Sequence, residues 1–153
     1  MNLQHGDKAP SFEAIDQNGA TISLGQFKGK KKILYFYPKD NTPGCTANAC
    51  NFRDHFSELQ DMGFVVIGVS SQGEKSHLKF IDKYDLPFPL IADTDLTVHH
   101  AYKVWGKKKF MGREYDGTHR TTFLIDENDK IIEVISKVKT KAATEQIKEL
   151  LSQ

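Results

Sequence analysis

The sequence predicts an α/β sandwich, a central mixed β-sheet flanked by helices and preceded by an N-terminal β-hairpin. Three observations predict it. Two apolar runs, 33–37 and 64–70, are separated by one helical pattern, which makes a β-α-β unit. A second helical pattern follows the second run. Two further strand-like runs, joined by a polar turn, then lead into an amphipathic C-terminal segment.

Each element has a local reason. Residues 12–24, "FEAIDQNGATISL", alternate around Asn18-Gly19, a hairpin signal because both residues tolerate positive φ. "KKKILYFYP" (30–38) has a charged start, five apolar or aromatic residues and a proline stop, as a buried central strand does. Between Thr46 and Met62 the residues Ala49, Phe52, Phe56 and Leu59 recur at three- and four-residue steps, which predicts one helix capped by Gly63. "FVVIGVSS" (64–71) reads as a second buried strand, parallel to the first. A helix over Glu74–Tyr84 is expected, with Leu78, Phe80, Ile81 and Tyr84 apolar. "LPFPLIAD" supplies a short strand, and a short helix follows near Leu96–Tyr102. "RTTFLID" (120–126) and "KIIEVISKV" (130–138) are strands joined at Glu127-Asn128-Asp129, and "ATEQIKELLSQ" closes the chain as an amphipathic helix. This order of elements is that of a thioredoxin-like sandwich. With no linker or repeat, residues 1–153 read as a single domain.

Composition narrows the function classes. Hydrophobic residues make up 39% and charged residues 27%, a globular balance. The formal charge of +1 gives no case for nucleic-acid binding. Lys28, Lys30, Lys31 and Lys32, and the run Lys107 to Lys109, read as solvated strand or loop edges. No apolar run approaches the ~20 residues that span a bilayer. The N-terminus lacks a basic region followed by an apolar one, so no signal peptide is expected. Two cysteines are too few for a secreted disulfide scaffold, and the cytoplasm is the expected compartment.

The two cysteines carry the chemistry. Both lie in "YPKDNTPGCTANAC" (37–50), five residues apart at the mouth of the first long helix. Unpaired backbone N–H groups and the helix dipole meet at such a mouth and favour an anion, and the thiolate is the nucleophilic form of cysteine. Pro43 and Gly44 restrain the loop and leave the backbone free to approach the Cys45 sulfur. Cysteine is also among the most buried residue types, but a polar loop before Cys45 favours a reactive thiol over a structural one.

On an intact helix the two side chains diverge by roughly 140° and their Cα atoms stand roughly 8–9 Å apart. That exceeds the ~7 Å at which a disulfide closes without backbone movement. Cys45 then shares the apolar side and Cys50 faces solvent, so joining them requires at least one turn to unwind. A disulfide that disrupts its own helix suits a reversible switch better than a staple. Zinc is a weak alternative, since the cysteines point apart and the histidines offer no matching pair; adjacent His99 and His100 read as surface or boundary residues.

Here the residues resemble a known family. Pro38, Thr42 and Cys45 match the Pro-x-x-x-Thr-x-x-Cys hallmark of peroxiredoxins. A second cysteine five residues on, and "KVWGKKKFMGREYDGTHRTTFLID" (103–126), are similar to the Q-type or bacterioferritin comigratory branch. The resemblance runs nearly end to end. It implies a thiol peroxidase in which Cys45 attacks the peroxide and becomes a sulfenic acid. Thr42 would hydrogen-bond peroxide and thiolate, Pro38 would shield the sulfur, and Arg120 would place positive charge beside it. The Gly44 and Cys45 N–H groups would add donors. Cys50 would resolve the sulfenic acid as a Cys45–Cys50 disulfide, which a thioredoxin-type dithiol would reduce, without metal, haem or flavin. The family commonly has glutamate three residues after the peroxidatic cysteine; this chain has Asn48, which lacks the charge that orients an active-site arginine.

Two other readings stand beside the peroxidase. A thiol-disulfide oxidoreductase on the same fold lacks the Cys-x-x-Cys it would need. A redox sensor would report oxidation through helix unwinding, and turnover distinguishes it from an enzyme. Arg53 leans to the surface, and Trp105 is either core or close to the active site. A cysteine pair within one helix needs no partner chain, so a monomer is expected.

Overall fold

The computed structural model describes residues 2–153. Its centre is a five-stranded mixed sheet in the order β5-β4-β3-β8-β9. The middle strand β3 (Lys31–Phe36) runs parallel to β4 (Phe64–Ser70) and antiparallel to β8 (Thr121–Ile125). At the edges, β5 (Leu90–Ala92) lies parallel to β4, and β9 (Ile131–Ile135) lies antiparallel to β8. The expected hairpin is present as β1 (Glu13–Ile15) paired with β2 (Thr21–Ser23). Gly19 takes the left-handed turn position at φ 75°, while Asp16 Oδ1 accepts from the Asn18 and Ala20 amides.

The sheet separates two apolar layers because β3 alternates across it. Ile33, Tyr35 and Tyr37 face one layer together with Cys45, Phe52, Leu59, Phe80 and Ile147. That layer is covered by α1 (Pro43–Asp54), α2 (Phe56–Asp61), α3 (Glu74–Tyr84) and α5 (Ala143–Leu151). Leu34 and Phe36 face the other layer with Ile22, Val98 and Tyr102, under α4 (Thr97–Ala101) and the N-terminal segment. β6 (Trp105–Phe110) and β7 (Arg113–Thr118) form a separate hairpin whose last residues lead directly into β8.

The structure corrects several sequence expectations. The single helix expected over Thr46–Met62 is two. It starts three residues earlier, with Pro43 at the first helical position, where a missing N–H leaves no helix bond unmade. It breaks at His55, whose ring Nδ1 stands 2.9 Å from the Asn51 carbonyl. Helix α3 presents His77 to the interior, fully buried, while Leu78 is 38% exposed. Phe80, Ile81 and Tyr84 face the core as expected, and His77 rather than Leu78 completes that face.

Lys32 is not a solvated edge residue either. It lies on the central strand with no exposed surface, and its amine pairs with Asp129 in the β8–β9 turn. A buried charge requires such a partner. His99 is likewise buried, whereas its neighbour His100 is exposed. Trp105 packs edge-to-face on His99, their ring centroids 5.6 Å apart, in the layer opposite Cys45. The β6–β7 hairpin was legible only as charged edges, because its strands are polar on both faces.

Candidate active site

The site is assembled where β3 ends. Tyr37 still bonds to the neighbouring strand through its N–H to the Val69 carbonyl (3.0 Å), and half-buried Pro38 then stops the ladder. The chain turns through Lys39–Asn41 and enters α1 with Thr42 as N-cap in extended geometry. Thr42 makes no side-chain cap; its hydroxyl instead donates to the Lys39 carbonyl at 2.9 Å. The first closed helical bond runs from the Thr46 amide to the Thr42 carbonyl at 2.8 Å. Gly44 and Cys45 occupy the second and third helical positions, so their N–H groups have no partner within the helix.

Cys45 is 1% exposed and belongs to the apolar layer beneath the helix. Arg120 reaches it across 75 residues of chain, with Nη2 donating to Sγ at 3.1 Å. The sheet register explains this meeting. Phe36 pairs with Thr121, so the residue that precedes β8 lies beside the chain leaving β3. Gly44 completes the approach: a Cβ there would stand 3.4 Å from Arg120 Nη2, in contact with the guanidinium.

Asn48 does not meet the arginine. Neither its amide oxygen nor its amide nitrogen has a hydrogen-bond partner, although the residue is wholly buried, and Arg120 Nη1 is buried unpaired as well. The Tyr35 hydroxyl is buried without a partner too. Its phenol is raised well above the usual range, first by burial and then by the charge of a Cys45 thiolate.

Cys50 lies on the outer side of α1, half-buried, in a shallow groove with Asn41, Pro43, Thr46, Ala47 and Tyr84. Both cysteines are free thiols. Arg53 is not a plain surface residue. It spans from α1 to the end of α3, donating from Nη1 to the Tyr84 carbonyl at 2.8 Å, and pairs with Asp54.

One group that sequence reasoning missed holds the loop. Asp40, 7% exposed, accepts from Tyr37 Oη (2.6 Å) through one oxygen and from Ser76 Oγ (2.7 Å) through the other. His77 Nδ1 lies 2.7 Å from that second oxygen, while its Nε2 faces the Ile91 carbonyl at 2.9 Å. The Asp40 amide donates to the Gln72 side chain. Burial pushes the Asp40 carboxyl up, but the bonds and charge of His77, with those of Tyr37 and Ser76, outweigh it and hold the carboxyl below its ordinary value. The Tyr37 phenol is raised well above its range, chiefly by burial and then by Asp40, so it remains a donor. A signal for this group existed, since His77 shares a face with Phe80 and Tyr84 at three- and four-residue steps.

Among the described residues, no three His, Cys, Asp or Glu side chains are grouped to hold a metal ion.

A thioredoxin-like sheet that delivers a buried, arginine-contacted cysteine at a helix N-terminus belongs to the thiol redox proteins. More specifically, the chain belongs to the AhpC/TSA family, whose profile matches residues 5–134, and within it to the peroxiredoxins of the Bcp or Q type. It is 48% identical over 139 residues to a putative peroxiredoxin Bcp of Haemophilus influenzae, covering 91% of this chain and 90% of that one. It is 45% identical over 141 residues to peroxiredoxin Bcp of Bacillus subtilis, covering 92% and 90%. The solved bacterioferritin comigratory protein of Xanthomonas campestris, described with alkyl peroxide reduction activity, superposes with a TM-score of 0.88 at 28% identity, covering 99% and 98%.

Proposed function

We propose that this chain is a thiol peroxidase that reduces hydrogen peroxide and organic hydroperoxides with electrons from a thioredoxin-type dithiol. The observation that carries the reading is the 3.1 Å contact of Arg120 Nη2 with Cys45 Sγ at a helix start with two free N–H groups.

The Cys45 thiolate attacks the terminal peroxide oxygen. The O–O bond breaks, the distal oxygen leaves as alkoxide or hydroxide and takes a proton, and Cys45 becomes a sulfenic acid. Positive charge from Arg120 and the Gly44 and Cys45 N–H groups lies where anionic charge is held on sulfur and develops on oxygen. Thr42 has spent its hydroxyl proton on the Lys39 carbonyl, so its oxygen is free to accept from the peroxide O–H. Pro38, half-buried where β3 ends, is assigned the role of shielding the sulfur from water. The Cys50 thiol then displaces water from the sulfenic acid and forms the Cys45–Cys50 disulfide, which an external dithiol reduces.

No metal, haem or flavin enters this cycle. Both cysteines lie on one helix, so a monomer of one domain (1–153) suffices. A disulfide that must be reduced in every turn suits the reducing cytoplasm. No helix among the described residues is long and apolar enough to cross a membrane.

The test is peroxide consumption with dithiothreitol or thioredoxin, on wild type, Cys45→Ser, Cys50→Ser and Arg120→Met, with intact mass after one equivalent of peroxide. Wild type should turn over and lose two hydrogens, and Cys45→Ser should be inactive. Cys50→Ser should stop at the sulfenic or sulfinic acid. Arg120→Met should slow oxidation by roughly 10²–10³. A wild type no faster than a free thiol overturns the reading.

A further inference from the structure

The β6–β7 hairpin contributes no residue to the active site, and among the described residues it pairs with no other strand. Its register sorts its side chains into two sets, because residues directly opposite in an antiparallel ladder point to the same side. Both sides are polar, in different ways. One sets Lys107 opposite Asp116 and Lys109 opposite Glu114, the second pair 3.8 Å apart, so its charges cancel. The other sets Lys108 opposite Tyr115 and Phe110 opposite Arg113, and it carries no carboxylate. Lys108 and Tyr115 are held against this side: a Cβ on Gly117 would stand 3.2 Å from the lysine Cδ and 3.3 Å from the ring Cε2.

The tip is unusual in sequence as well as in exposure. Met111 and Gly112 form its two-residue turn, at φ of 53° and 78°. A turn with positive φ at both positions favours asparagine or aspartate before the glycine. Methionine adopts that conformation at a cost, and the fold returns nothing for it: Met111 is 87% exposed and Phe110 65%. Neither joins either apolar layer. With Tyr115 they are three of the five large apolar side chains exposed among the described residues. Strain and exposure at one tip point to a contact made outside the chain.

We propose that this hairpin docks the protein peripherally on an anionic lipid bilayer. Phe110 and Met111 enter the boundary between headgroups and acyl chains, while Lys108 and Arg113 meet the anionic headgroups. An apolar tip beside unpaired cations is how a protein holds to a membrane surface without crossing it. A protein partner fits less well. A ribbon two strands wide and about 20 Å long offers a few hundred Å², well under the ~800 Å² per partner of a stable interface. An isologous contact with a second copy would gather four cations with no carboxylate between them. Nine residues of chain separate Met111 from Arg120, so docking holds the active site within about 30 Å of the bilayer. The proposal goes beyond the peroxidase reading and does not depend on it.

The experiment is co-sedimentation of the full chain with vesicles of phosphatidylcholine, alone or mixed with phosphatidylglycerol. Wild type should bind the mixed vesicles at about 50 mM salt, release them at about 0.5 M, and ignore phosphatidylcholine alone. Met111→Asn suits the turn, so it should keep or raise the urea midpoint and still cut the bound fraction about threefold. Adding Phe110→Ser should bring the loss to about tenfold. Arg113→Gln and Lys109→Gln remove the same charge from opposite sides; the first should cut binding about fivefold and the second less than twofold. Unchanged peroxide turnover with dithiothreitol verifies that each variant is folded.

A wild type that ignores anionic vesicles overturns the proposal. So does binding that survives loss of the tip, or equal losses from the two charge variants, since either reports diffuse charge. A dimer in sedimentation velocity that Phe110→Ser abolishes overturns it in favour of a second copy. A chain that binds vesicles but does not consume peroxide leaves the docking standing, and the peroxidase reading fails instead.

Discussion

Two buried aspartate–histidine pairs lie on opposite faces of the sheet, and they are built for different ends. Asp40–His77 and Asp93–His99 have nearly the same nitrogen–oxygen distance, 2.7 and 2.6 Å, and each aspartate follows a parallel strand, β3 or β5. Their other partners differ. Asp40 receives side-chain donors from β3 and α3, so it ties a loop to distant parts of the fold. Asp93 receives the backbone amides of Val98 and His99, at 3.1 and 2.8 Å, and so caps the helix that follows it. The far nitrogens differ too. His77 Nε2 faces the Ile91 carbonyl, which only accepts, while His99 Nε2 faces the Thr118 hydroxyl, which donates or accepts. The same pair of residues therefore serves the active-site loop in one place and the frame in the other.

The largest effect is expected from breaking the frame pair. Asp93→Ala leaves His99 and two helix amides buried without their acceptor, a loss of about 3–5 kcal/mol. The urea midpoint should fall accordingly, while kcat/KM per folded molecule stays within about twofold. An activity loss larger than the folded fraction explains would erase the distinction between the two pairs.

Acid pH acts on the other pair, with a smaller effect. The folded Asp40 carboxyl lies below its unfolded value, so its contribution is fully present above the unfolded value of about 4. It is lost as pH falls through the lower folded value. The stability gap between wild type and Asp40→Asn should be constant from neutral pH down to about 4 and narrow below it. Urea midpoints across that range test this; a gap that widens toward acid contradicts the sign.

The contrast also shows what the sequence made legible. Continuous apolar runs announced β3 and β4, and three- and four-residue steps announced α3, because burial leaves a local pattern. Partnerships leave none. Asp40 and His77 are 37 residues apart and meet because α3 packs on the sheet, and Cys45 and Arg120 are 75 apart and meet through the β3–β8 register. The resemblance to a family motif singled out Arg120, and no spacing argument did. His99 and Lys32 were misplaced for one reason: polarity was read as exposure, while each is buried against a carboxylate. The start of α1 was misread because Thr42-Pro43-Gly44 resembles a loop, although proline suits the first helical position.

The smallest expected effect concerns only the far nitrogen of the frame pair. Thr118→Val keeps the shape and removes the hydroxyl 2.9 Å from His99 Nε2. On a neutral ring that donates Nδ1–H to Asp93, Nε2 is a lone pair and Thr118 is its donor. The substitution should cost about 1 kcal/mol, the net worth of one such bond, and leave peroxide turnover unchanged. Nitrogen shifts of the His99 ring read the same arrangement directly: a protonated Nδ1 with a bare, hydrogen-bonded Nε2 in wild type, and a change at Nε2 alone in the variant. Protons on both nitrogens would make the two pairs electrically alike, and their difference would then rest solely on what each aspartate holds.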